Sequence, residues 1–457
     1  MKTSPVATTW WLGLAVAAVS TLWFASGVHS EPSFVDEWAY LSQAYFADLF
    51  TSGRHDDPAW LEYPGYDLPP LPKYQIGIAL RLAGLPRPPR EMMIRWYGDT
   101  STKTGTTAML MAARWPSVLW GGVGCAMIYA IGVQVSGRRL GILAAFFLAL
   151  NPLYRLHARR AMSDVPAEAL ILATLAVGLW AYTRRANDSR SRRITLFITT
   201  PIVGILGGLA VLAKLNGSLA LMTIGLWSLW DVAIAWSLRN KAVNPYGHVT
   251  RVALKDSLWS LFATAIAGLI GFVTFTILNP FMTAQPTGPL PPPIAKIAQS
   301  NLLERAHIVA QHRADVSTLA AKKFPHNALT RLDEKVVAVA IQGYGRFGPL
   351  GPSHTDSTKR FDLAQDWGAF LWLPLVAAGL IIQIIKTVSV RSESGKSSAT
   401  PSPASGALAL MVGLALVVVS GFIPLAWDRY YLSIQPGAVL LGASAIDWVI
   451  EQILRRR

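Results

Sequence analysis

Long apolar runs separated by short polar turns set the pattern of this chain. An α-helix rises about 1.5 Å per residue and the hydrocarbon layer is roughly 30 Å thick, so each spanning helix needs about 20 apolar residues. Runs of this kind lie near 10–28, 108–135, 140–154, 165–182, 194–213, 218–237, 257–278, 367–386, 405–425 and 431–450. They predict an all-α polytopic membrane protein with about ten transmembrane helices, forming one integral-membrane domain over residues 1–457. The third run is short, and Asn151, Pro152 and the HARR cluster behind it leave room for a re-entrant hairpin. The first run follows a basic start and no small-residue cleavage pattern comes after it, so it reads as a retained span.

Between these spans lie two long polar stretches, about 29–107 and 279–366, too long to be hairpin turns. Both are expected to contain short interfacial helices. In the second, ERAHIVAQHRADVSTLAAKK has the pattern of an amphipathic helix lying flat on the membrane surface. The Ser- and Pro-rich segment RSESGKSSATPSPASG reads instead as a cytoplasmic linker, about 387–404.

Composition agrees with this class: 52% of residues are hydrophobic and 15% charged. The net charge of +15 changes the picture only through its placement. Basic residues gather at 136–139, 183–193, 239–255, 386–396 and 455–457, all on one side of the ten-span pattern. Lys and Arg excess in short loops marks the cytoplasmic side, so the two long loops are extracytoplasmic. The charge is thus a topology signal with a share for anionic lipid, and no nucleic-acid module is visible. Cys125 is the single cysteine and falls inside a span, so no intrachain disulfide can staple the loops.

Candidate chemistry lies at the outward ends of the spans. FVDEWAYLSQAYFADLF follows the first span and puts Asp36 and Glu37 at the head of a helix. Such carboxylates can serve as caps favoured by the helix dipole, or one can act as a general base towards a hydroxyl. In YDLPPLPKYQIGIAL, prolines hold Lys73 at the interface, either snorkelling or facing a phosphate. NPLYRLHARRAMSDVPAEAL gathers Arg155, Arg159, Arg160 and Asp164, as a structural ion pair or as a phosphate-binding set. Later turns bring AKLNGSLAL with Lys214 and Asn216, LNPFMTAQP with Asn279, and WDRYYLSIQP with Asp428, Arg429 and Tyr430. Ionisable groups close to hydrocarbon are costly, and their recurrence at every outward turn implies one shared site.

This ordered set of turns resembles the GT-C glycosyltransferases, in particular bacterial relatives of protein mannosyltransferases and of aminoarabinose transferases. The resemblance implies transfer of a sugar from a polyprenyl-phosphate-linked donor to a hydroxyl of a protein, lipid or glycan, by inverting displacement, at the extracytoplasmic face of a bacterial plasma membrane. It implies that Asp36 is the base, with Glu37 and Asp164 supporting it. Lys73, Arg159 or Arg160, Arg429 and Tyr430 would face the donor phosphate, and Lys214, Asn216, Asn279 and Tyr344 would line the site. Leu68 stands where the protein mannosyltransferases have His, a departure that weakens any claim to their acceptor. No cofactor or metal is implied.

Three further features are read against this picture. GYGRFG at 343–348 has the letters of a dinucleotide fingerprint without a βαβ context, and reads as a flexible loop over the donor. His307 and His312, five apart, fall on different sides of a helix and read as solvated interfacial residues. GILGGLAV in the fifth span reads as a surface for close helix packing. The rival reading is a transporter or flippase of a polyprenyl-linked glycolipid. Such proteins place ionisable groups near the midplane and show paired repeats, and this pattern shows neither clearly.

Overall fold

The computed structural model describes residues 5–88, 105–183, 189–239, 247–346, 348–349, 367–388 and 403–456. Most of the proposed linker at 387–404 and parts of both long loops lie outside them. Helix α1 is Pro5–Ala25. The first loop then carries α2 (Val35–Ser42), α3 (Phe46–Thr51), α4 (Tyr63–Asp67) and α5 (Pro70–Leu82). Next come α6 (Thr107–Ser136), α7 (Arg138–Leu150), α8 (Pro152–Ala158), α9 (Asp164–Thr183), α10 (Ser189–Ala213), α11 (Ser218–Arg239) and α12 (Gly247–Ile277). The second loop holds α13 (Pro292–Gln299), α14 (Leu302–Lys323) and α15 (Leu332–Ala338), and α16 (Trp367–Val388), α17 (Pro403–Phe422) and α18 (Gln435–Arg455) close the chain.

Among the described residues, eight helices are long and apolar enough to cross a membrane, and the bent pair α7–α8 raises this to nine. The bend of 67° falls where the sequence shows its break. Asn151 ends α7, accepts from the Tyr154 N–H at 2.9 Å and donates to Gln435 at 2.8 Å. Pro152 then starts α8, where its missing N–H is not needed. Helix α1, the first predicted span, packs along α6.

Small residues decide how closely the helices approach. A Cβ on Gly204 would lie 2.8 Å from the Ala267 carbonyl, and one on Gly208 would lie 2.6 Å from that of Gly271. The GILGGLAV stretch therefore lets α10 press against α12, as its sequence suggests. At the basic end, Arg139 pairs with buried Asp447, and Arg138 donates to Thr9 at 3.2 Å. Those contacts tie α1, α7 and α18 together away from the polar turns.

The amphipathic helix α14 is docked on the protein. Its buried Arg305 donates to the carbonyls of Phe281 and Ala284, both at 2.8 Å, pinning it to the turn after α12. His312 is not solvated as its sequence suggested: it contacts Asp67 at 2.9 Å and lies edge-on between Tyr63 and Tyr66. This contact joins the two long loops. The GYGRFG stretch also departs from expectation, since Val339–Arg346 forms a π-helical turn with Gly343, Tyr344, Gly345 and Arg346 buried. Gly343 packs against Tyr431 and Ile434, within 3.2 Å of where a Cβ would stand, so Val339–Arg346 is part of the packed interior.

Candidate active site

Glu37 explains why α2 starts where it does. Its carboxylate accepts from the Phe34 N–H at 2.9 Å, capping the helix from its third position. It also receives both arms of Arg114, Nε at 2.7 Å and Nη2 at 2.8 Å, and the Ala161 N–H at 2.8 Å. Arg114 spends its other donors on the carbonyls of Val28, Glu31 and Pro32. Both side chains are 0% exposed. This knot joins the end of α1, the start of α2, α6 and the 159–163 turn, and so fixes the residue beside Glu37.

That residue is Asp36, and it faces the other way. Its carboxylate pairs with Arg429 from the turn before α18, with side chains 28% and 25% exposed respectively. Arg429 lies over the rings of Trp427 and Tyr430, at 5.2 and 5.6 Å. Asp164, at the head of α9, also interacts electrostatically with Arg429. It is held by Lys214 at 2.7 Å and faces His157 at 3.9 Å. Buried Tyr40 donates to Ser163 at 2.7 Å. Burial, with the Asp164 charge behind it, holds its phenol well above the usual range, so it remains a donor. Asn216 donates to Ser433 at 2.8 Å, and Ser433 in turn bonds to Glu168 one turn below Asp164.

The site therefore gathers Asp36, Asp164, Lys214, Asn216, Arg429 and Tyr430 from four separate segments. Four of the other expected residues, Lys73, Arg159, Asn279 and Tyr344, lie elsewhere, and Arg160 stays at the edge of the cluster. Lys73 is 1% exposed, donates to the Pro64 carbonyl at 2.5 Å and stands over the Phe46 ring. Burial pushes its ammonium down to about 7, partly opposed by the Asp67 carboxylate. Buried and bonded to the Pro64 carbonyl of α4, this lysine is not presented as an open phosphate ligand in the structure. Arg159 donates to the carbonyls of Phe24 and Trp23, both at 3.1 Å, and caps α1 instead. Arg160 turns towards Glu31 at 3.7 Å and the Phe34 ring, on the His157 side of the cluster. Asn279 is buried in the turn to Pro280–Met282, whose Phe281 packs with Trp60 and Tyr74 in a separate apolar cluster. Tyr344 is buried in the core, its hydroxyl 3.4 Å from the Val412 carbonyl.

Arg114, His157, Glu168, Tyr40 and Ser163 complete the arrangement and were not singled out in the sequence. For Arg114 and Glu168 a signal existed: each is an ionisable residue inside an apolar run, where charge is costly and retained for a reason.

The architecture is shared with solved structures. The oligosaccharyltransferase of Archaeoglobus fulgidus, tethered with an acceptor peptide, aligns at a TM-score of 0.53 with 16% identity, over 98% of this chain and 50% of that one. The same archaeal enzyme in complex with an inhibitory peptide and a dolichol-phosphate gives 0.52, 15%, 98% and 51%. ArnT from Cupriavidus metallidurans bound to undecaprenyl phosphate gives 0.47, 16%, 96% and 60%, too distant to add to the assignment. This chain spans about half the length of the archaeal enzyme. No curated protein sequence matches it. The chain is thus an integral-membrane protein with the GT-C fold. Its residues 62–284 match the family model of dolichyl-phosphate-mannose-protein mannosyltransferase.

Proposed function

We propose that this chain is a glycosyltransferase that moves a sugar from a polyprenyl-phosphate-linked donor to an acceptor hydroxyl of a protein, lipid or glycan. The observation that carries the reading is Asp36, a part-open carboxylate fixed by the Glu37–Arg114 knot and paired with Arg429, which also interacts with Asp164 and so stands near its partner Lys214. Arg429 and Lys214 stabilise the phosphate that leaves with the lipid, a role that suits preorganised cations beside developing negative charge. Asp36 takes the proton of the attacking hydroxyl. The acceptor oxygen bonds to the anomeric carbon as its bond to the phosphate oxygen breaks, so the configuration inverts. Asp164 keeps Lys214 in place and Tyr40 fixes the Ser163 turn from below.

Two features support a lipid-bound substrate at the extracytoplasmic face. The basic loops fall on the opposite side from these polar turns. An apolar groove of about 640 Å³ opens between α5 and α6, lined by Ile78, Leu82, Trp115, Leu119 and Trp120. It offers room for an isoprenoid or acyl chain. The test is Asp36→Asn in purified protein in lipid, supplied with polyprenyl-phosphate sugars. Transfer should fall by roughly 10²- to 10⁴-fold, the usual contribution of a general base. Unchanged transfer overturns the assignment. Mass spectrometry of isoprenoid-linked sugars accumulating in a deletion strain identifies the donor.

A further inference from the structure

Arg429, Lys214 and Arg160 each already face a carboxylate: Asp36, Asp164 at 2.7 Å and Glu31 at 3.7 Å. A phosphate arriving at this mouth needs a cation, and a cation shared with a carboxylate is a poor partner because the two anions repel. One carboxylate has to give way. Asp164 is buried, and turning it away would strand a charge in apolar surroundings. Arg160 is held over the Phe34 ring at 4.5 Å and is only 14% exposed. Asp36 and Arg429 form the most accessible of the three pairs. Asp36 is the second residue of α2, where unpaired backbone N–H groups and the helix dipole favour a carboxylate without help from a cation. Arg429 keeps its two aromatic supports whichever anion it holds.

We infer that the Asp36–Arg429 pair is an internal latch, which the phosphate of the incoming donor opens by taking Arg429 and so releasing Asp36 to receive the acceptor proton. The inference rests on the glycosyltransferase reading of the site and adds an order to it. Donor binds first; without it the base is occupied by guanidinium, and a hydroxyl or water at the mouth is not activated. During transfer the acceptor proton passes to Asp36, the acceptor oxygen bonds to the anomeric carbon, and the lipid phosphate departs with the electrons of the broken bond. Once Asp36 has lost that proton, it competes for Arg429 again and helps expel the phosphate product.

Binding of undecaprenyl phosphate to the full-length protein in lipid nanodiscs tests this without turnover. Four proteins are compared: wild type, Asp36→Asn, Arg429→Gln and the double variant. Removing the competing carboxylate should tighten binding about five-fold, the scale of a part-exposed ion pair. Arg429→Gln should weaken it about ten-fold or more, as loss of a charge-assisted contact does, and adding Asp36→Asn to it should change nothing further. Undecaprenol, lacking the phosphate, should bind all four alike. No tightening in Asp36→Asn overturns the latch. So does equal tightening in the Arg429→Gln background, which would mark simple relief of repulsion. Asp36→Ser removes the same carboxylate should Asn fail to fold. An Asp36→Asn protein that loses transfer with unchanged binding removes the latch and leaves the base; tighter binding with retained transfer removes the base and leaves the latch.

Discussion

Adjacent carboxylates in α2 meet arginines from different parts of the chain: Asp36 pairs with Arg429 at the open mouth, and Glu37 pairs with Arg114 in the closed knot beneath it. The chemistry of the two pairs is the same and their surroundings are opposite. About a quarter of each side chain in the first pair reaches solvent, while both side chains of the second reach none. A part-exposed ion pair is worth little to stability and can exchange partners. A buried one contributes through what its loss would leave behind, an uncompensated charge. Accessibility therefore divides the labour within one dipeptide.

Substituting each partner should separate these roles. Asp36→Asn carries the largest expected loss of transfer, with stability changed by less than about 1 kcal/mol. Glu37→Gln should instead lower stability by about 3–5 kcal/mol, because Arg114 is left buried without its counter-charge. Unfolding midpoints in detergent, set beside transfer rates, read both. Replacing both knot residues, Glu37→Leu with Arg114→Met, should recover part of that loss. Recovery stays incomplete because the Phe34 and Ala161 N–H groups lose their acceptor. A Glu37→Gln protein as stable as wild type would remove the distinction between mouth and knot.

The apolar runs made the membrane class and most helices legible, including the break at Asn151 and Pro152 and the close approach at Gly204 and Gly208. Asp36, Asp164, Lys214 and Arg429 were legible as site candidates because charge at the ends of apolar runs is conspicuous. The candidates that the structure places away from the cluster share a cause. Lys73, Arg159 and Tyr344 lie in polar turns like the others, and only the tertiary path of the chain decides which polar group faces the mouth. Local pattern carries no information on that, so Lys73 beneath α4 reads the same as Lys214 beside Asp164. Arg114 was passed over because an apolar run was read as uniformly apolar, when its one charge was the residue organising the knot.

Lys73 sharpens the comparison, being a closed cation with a carbonyl in place of a carboxylate as its bonded partner. Burial pushes its folded value down to about 7, from an ordinary value of 10.5. Between those values the unfolded chain holds the proton and the folded chain does not, so this group makes stability rise as pH rises from about 7 to 10.5. Lys73→Met should lose that part of the slope, visible as the difference between the two proteins' unfolding midpoints across the window. Parallel curves would place Lys73 in a wetter setting than its burial indicates, and return it to the candidates for phosphate binding.

The smallest effects are expected from Arg159 and Arg160, neighbours that face different partners. Arg159 reaches back to the last carbonyls of α1, and Gly27 makes room for it, since a Cβ there would lie 2.0 Å from the guanidinium carbon. Arg159→Gln should cost about 1 kcal/mol of stability, the scale of its lost hydrogen bonds, and leave binding of undecaprenyl phosphate unchanged. Arg160 has its Nε buried without a partner and faces the cluster that holds Asp164 and His157. Arg160→Gln should weaken phosphate binding by about two- to five-fold through loss of a nearby positive charge, with little change in the unfolding midpoint. The opposite assignment, weaker binding in Arg159→Gln alone, would move the phosphate from the Arg429 side of the mouth to the end of α1. The latch at Asp36 would then have no competitor to open it.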